Sequence, residues 1–189
     1  MSHIPSPGNA FTPEVPPMRL PHLEHEYRLI ADMGSGYEMP NMRGTGLTRS
    51  VGNIAGGTVA GPRITGKVLE NSGADWAIRV HSKKIFYQLD ARYTVLTDDG
   101  HYILVNAKGI FSLGPGVPDT GEEEPTCSQD EVEYFSHLTY EAPGDSPYNW
   151  MNSIVAVGVM TMWENKVVID AYRLTNFPGK EAEDVYVGR

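Results

Sequence analysis

Two long runs rich in β-branched and aromatic residues, 85–97 (IFYQLDARYTVLT) and 101–113 (HYILVNAKGIFSL), are separated by little more than an Asp-Gly pair. Asp99-Gly100 between such runs predicts a hairpin, because a tight type I′ turn needs positive φ at both central residues. A lone hairpin is marginal in water, so its strands need partners elsewhere in the chain. The partners are legible as further β-rich runs at 25–33, 58–69, 75–80, 132–140, 153–162 and 166–174. In the first of these, Tyr27, Leu29, Ala31 and Met33 fall on one face. Gly61-Pro62 predicts a bulge or an edge position, since proline cannot donate to a ladder. Helical patterning is poor, and one short helix is expected over 142–151. Many short strands with Gly-rich turns predict an all-β sandwich or barrel.

The length of 189 residues suits one domain. It is placed at 23–177, behind a Pro-rich extension at 1–22 and ahead of a polar tail at 178–189. The extension reads either as a loose tail or as a strap around the domain. A net charge of -9 repels phosphate backbones and anionic headgroups, so no nucleic-acid partner is expected. The longest apolar run, 154–162, is about strand length, so no membrane insertion is expected. The N-terminus lacks the basic start and apolar core of a secretory signal, and Cys127 is the single cysteine. Both fit a reducing, cytoplasmic setting. The runs 154–162 and 167–171 are apolar on both faces, which suits strands covered on both sides and a homodimer through the outer surface.

With Asp99 and Gly100 as the loop, Asp98 faces His101. One face of the hairpin then carries Asp90, Arg92, Thr94 and Leu96 with Ile103, Val105, Ala107 and Gly109. The other carries Ala91, Tyr93 and Val95 with Leu104, Asn106 and Lys108. In this register Asp90 and Arg92 lie opposite Gly109 and Ala107, small residues that leave room for a guest. If that face is interior, the pair is a buried charged cluster of the kind found at working sites. If it is exterior, the pair is a surface ion pair worth about 0–1 kcal/mol.

Several fragments, taken in order, resemble the family known as domain of unknown function 3237. They are Gly56-Gly57-Thr58-Val59-Ala60-Gly61-Pro62, Gly66-Lys67-Val68-Leu69 with Gly73-Ala74-Asp75-Trp76, Asp90-Ala91-Arg92-Tyr93-Thr94 running into Thr97-Asp98-Asp99-Gly100, and Trp150-Met151-Asn152 followed by Val155 to Gly158. The resemblance covers roughly 23–174. It implies a single compact antiparallel β-barrel of lipocalin or calycin type. It places an acid and an arginine at Asp90 and Arg92 and an Asp-Trp at Asp75 and Trp76, which favours the interior reading of the Asp90 face. The segment between Leu113 and Glu131 is longer than the resemblance implies, as is the N-terminus, and both are expected to reshape a pocket mouth.

Asp90, Arg92 and Asp75 are therefore the catalytic candidates. An arginine in a dry pocket binds or stabilises a developing oxyanion, and a neighbouring carboxylate serves as general base. Trp76, Tyr93, Thr94, Tyr134, Phe135, His137 and Trp150 are the substrate-binding candidates. On a strand, Tyr134 projects to one side and Phe135 and His137 to the other, so this group is either a pocket wall or a surface strand with aromatic packing. Structural roles compete for Asp90, Arg92 and Trp76 too, as barrel closure and floor.

No metal is expected, since His22 and His25 point to opposite sides of an extended chain, and no cofactor either. No phosphate loop or nucleophile elbow occurs. Cys127 has no basic neighbour to favour a thiolate. The expected function is a cofactor-independent cyclase, isomerase or lyase acting on a small apolar or aromatic metabolite held inside the barrel. The alternatives are a carrier of lipocalin type and a hydrolase using activated water.

Overall fold

The computed structural model describes residues 18–81, 85–120 and 125–181. The described residues form nine antiparallel strands: β1 (His22–Met39), β2 (Thr48–Ala60), β3 (Thr65–Val68), β4 (Gly73–His81), β5 (Ile85–Thr97), β6 (Tyr102–Leu113), β7 (Val132–Glu141), β8 (Ala156–Trp163) and β9 (Lys166–Thr175). Each strand follows its neighbour around a ring, and β1 pairs with both β2 and β9, which closes it. β3 and β4 share the place between β2 and β5. The wall thus has about eight strand positions, a size whose interior is filled by side chains or by one small ligand. The only helical pieces among the described residues are short 3-10 turns at Met42–Gly44 and Asn149–Ser153. The second falls at the end of the stretch where a helix was expected.

Alternation builds the core. On β7, Val132, Tyr134, Ser136, Leu138 and Tyr140 are buried while their neighbours are exposed. Leu29, Ala31, Ile103, Val105, Ile169 and Ala171 fill the interior from the other walls. Two boundaries differ from expectation. The run 58–69 is divided, because Pro62 ends β2 and the chain re-enters as β3. The segment 48–57 carries no β-rich signal, yet it is most of β2. Its glycines make it a strand by close approach: a Cβ at Gly57 would lie 2.3 Å from the Ile30 carbonyl oxygen of β1.

The hairpin between β5 and β6 forms with a different loop. Thr97 N–H donates to the His101 carbonyl at 2.9 Å, and Gly100 N–H to the Thr97 carbonyl at 3.0 Å. The loop is therefore Asp98-Asp99-Gly100. Only Gly100, at φ 93°, has positive φ there, so a type I′ turn at Asp99-Gly100 is excluded. The cause lies in Asp99, whose Oδ1 accepts from Thr97 Oγ1 at 2.5 Å and from Tyr148 Oη at 2.9 Å. The longer loop moves the strands one residue out of the expected register. Tyr93 opposes Val105, Ala91 opposes Ala107, and Asp90 opposes Lys108.

One end of the barrel is sealed. The Arg63 guanidinium lies 3.7 Å from the centre of the Trp150 ring. Arg173 is buried, with Nε 3.0 Å from Glu26 Oε1 and a second contact to Glu24. The start of the expected polar tail lies across this end: Gly179 N–H donates to Glu24, Arg173 donates to the Lys180 carbonyl, and Arg63 pairs with Glu181. At the opposite end, residues 125–128 lie along the turn between β8 and β9, with Cys127 N–H donating to the Met162 carbonyl at 3.1 Å.

Candidate functional site

The lumen holds a cavity bounded by Leu29, Ala31, Met33, Ile54, Val68, Asp75, Ala91, Tyr93, Ala107, Tyr134, Met160, Val167 and Ile169. The cavity volume is about 70 Å³. One water needs roughly 10–15 Å³ on that measure, so there is room for several waters or a small ligand. The cavity lies away from the sealed end. On β1 it begins at Leu29 and leaves out Glu26 and Tyr27, and on β7 it reaches Tyr134 but not Tyr140.

Asp75 is the one carboxyl among its described lining residues, and a defect in the wall sets its position. The β4–β5 ladder pairs Asp75 with Ala91 and resumes at Ile78 with Gln88. In the interval Asp90 N–H donates to Asp75 Oδ1 at 3.0 Å. The Trp76 carbonyl takes the Arg49 guanidinium instead. The carboxylate thus replaces a backbone acceptor and is held by the wall while lining the lumen. Burial pushes its pKa up to about 6. The Asp90 N–H opposes that rise, the Asp90 charge adds to it, and Arg49 opposes it.

Tyrosines supply the other polar atoms. Tyr27 Oη donates to Tyr140 Oη at 3.1 Å. Tyr134 packs edge-on against Phe111, with centroids 5.1 Å apart. Tyr93 is 2% exposed, and its hydroxyl is buried without a partner. Burial raises the pKa of Tyr27, Tyr93, Tyr134 and Tyr140, so all four stay protonated at neutral pH. The Ser136 hydroxyl is likewise buried without a partner. Among the described residues, no three His, Cys, Asp or Glu side chains gather as metal ligands would.

Three of the sequence candidates meet in the cavity: Asp75, Tyr93 and Tyr134. The interior placement of Asp90, Arg92 and Thr94 is corrected. They sit on the outer face, because alternation along β5 sends Ala91, Tyr93 and Val95 inward. Asp90 opposes Lys108, which in turn opposes the exposed His137. Trp76 is 38% exposed and Phe135 43%, so neither Trp76, Phe135 nor His137 is a cavity wall. Trp150 is buried beneath Arg63 at the sealed end, away from the cavity. Tyr27, which donates to Tyr140, was not singled out as a site residue, although period-two alternation from Leu29 points to it.

Fold and site together define a closed antiparallel β-barrel whose largely apolar cavity is lined, among the described residues, by the Asp75 carboxyl and the phenols of Tyr93 and Tyr134. Residues 21–174 match a family model described as a protein of unknown function, DUF3237. The chain belongs to the DUF3237 family. It is 33% identical over 147 residues to a UPF0311 protein of Rhodopseudomonas palustris, covering 77% of this chain and 89% of that one. A β-barrel-like protein of Acinetobacter baumannii superposes with a TM-score of 0.70 at 30% identity, covering 86% of this chain and 99% of the other. A barrel described as an enzyme, from Penicillium herquei, shares the fold at 20% identity with a TM-score of 0.60, covering 85% and 98%.

Proposed function

We propose that the barrel binds a small, largely apolar or aromatic metabolite in its lumen and rearranges it without a cofactor, by ring closure, addition or a double-bond shift. The observation that carries this reading is the Asp75 carboxyl, fixed by the wall and facing an otherwise apolar cavity. With a pKa raised to about 6, it is mostly ionised at neutral pH and still returns a proton readily. It takes a proton from an acidic O–H or C–H of the substrate and delivers it to another atom of the same molecule, so no external acid or oxidant is needed. The Tyr93 hydroxyl donates to negative charge that develops on a substrate oxygen. The apolar walls hold the reactive conformer and exclude water. Asp90 acts on this chemistry through its backbone N–H, which orients Asp75. The Penicillium herquei protein supports the reading only in that its fold carries an enzyme.

The test compares metabolite extracts from the native producer with those from a strain making Asp75→Asn, with protein level and melting checked alongside. Accumulation of a precursor or shunt isomer while the variant stays folded supports catalysis at Asp75. An unchanged profile with folded variant rejects it and leaves carriage of the same ligand as the better account.

A further inference from the structure

The cavity's polar groups are few: among its described lining residues they are the Asp75 carboxyl and the hydroxyls of Tyr93 and Tyr134. Asp75 Oδ1 accepts from the Asp90 N–H, and an ionised carboxylate has further lone pairs to offer a ligand. The Tyr93 hydroxyl is buried and has no hydrogen-bond partner among the described residues. A buried polar atom without a partner in a native fold calls for an explanation, and a ligand that completes it is one. No lysine, arginine or histidine is among the cavity's described lining residues.

We infer that the lumen is built for an uncharged ring compound with a weakly acidic hydroxyl at one end and a carbonyl at the other, the hydroxyl meeting Asp75 and the carbonyl meeting Tyr93. The inference rests on the reading of the lumen as the ligand site and specifies what it selects. An ionised carboxylate accepts only, so Asp75 calls for a donor. A protonated phenol without a partner calls for an acceptor, and a ligand carbonyl supplies one. A carboxylate or phosphate on the ligand would meet Asp75 with no cation to offset it, which makes the site select against anions. Geometry allows both contacts at once. Asp75 opposes Ala91, and Tyr93 is the next residue along β5 on the same face, about 7 Å further on. Ala31, Ala91 and Ala107 leave open the space where a ring would lie.

The test is calorimetric titration of the full chain with five probes: para-hydroxyacetophenone, para-methoxyacetophenone, para-ethylphenol, para-hydroxybenzoate and tyramine. Para-hydroxyacetophenone should bind tightest, and each neutral analogue lacking one group should bind roughly fivefold to tenfold more weakly. Tyr93→Phe should weaken para-hydroxyacetophenone by a similar factor and leave para-ethylphenol unchanged, since that probe has no carbonyl to lose. Asp75→Asn, which keeps the side chain's shape, should weaken the two neutral phenols, para-hydroxyacetophenone and para-ethylphenol, and spare para-methoxyacetophenone. Tighter binding of para-hydroxybenzoate or tyramine overturns the inference, and so does equal loss of all probes in Tyr93→Phe. Absence of binding by every probe overturns it as well, while the metabolite comparison with Asp75→Asn judges the enzymatic reading separately.

Discussion

Asp75 carries a cost that its replacement should reveal. A carboxyl raised from 3.8 to about 6 holds its proton in the folded state after the unfolded chain has released it. Its contribution to stability is therefore fullest below pH about 4 and is lost as pH rises through about 6. Asp75→Asn removes that slope. The variant should match the parent near pH 4 and exceed it by about 1–3 kcal/mol at pH 8, as read from urea unfolding at both values. Glu26, whose pKa burial raises to about 7, gives both proteins the same background slope, so the comparison isolates Asp75. The phenols offer a second contrast. Tyr93→Phe removes a hydroxyl with no partner and should leave the unliganded protein's stability within about 0.5 kcal/mol. Tyr27→Phe breaks the bond to Tyr140 and should cost about 1 kcal/mol. Asp75 and Tyr93 were legible as candidates because both stand in fragments with a family resemblance. That the carboxyl would fill a missing rung of the ladder was not legible, since no local pattern marks where two distant strands part.

Among the elements, the β5–β6 hairpin decides which side chains reach the lumen. Strand identity there was plain from composition, and its ends were placed correctly to within a residue. The register was not, because it depends on Tyr148, a residue far along the chain that ties down Asp99. One added loop residue changed which residues of β6 stand beside Tyr93, and alternation then fixed Asp90 and Arg92 outside. Asp99→Ala removes the acceptor of two hydroxyls, and amide exchange should quicken first at residues 97–102. β2 was hidden for a different reason. Its glycines remove the β-branched signal that marks a strand while allowing the backbone contact that makes it one.

For the whole molecule, closure of the ring and the sealed end matter most. Arg173 is 5% exposed between Glu24 and Glu26, so Arg173→Met takes the cation from buried Glu26, pushes its pKa higher still and should lower stability by about 1–3 kcal/mol at neutral pH. Melting followed by circular dichroism checks this. The cavity lies nearer the other end and should keep its probe affinity in any Arg173 variant that folds.

The same end also governs how this protein could be rebuilt. His22 and Thr175 stand opposite each other where β1 meets β9, so the barrel begins and finishes at one spot on the rim farthest from the cavity. A surface to which the protein is tethered at either point would meet the barrel on the side away from the cavity. Joining residues 18 and 181 with a short peptide, which keeps the contacts of Gly179, Lys180 and Glu181, and opening the chain within 115–120 should give a permuted barrel that keeps its cavity.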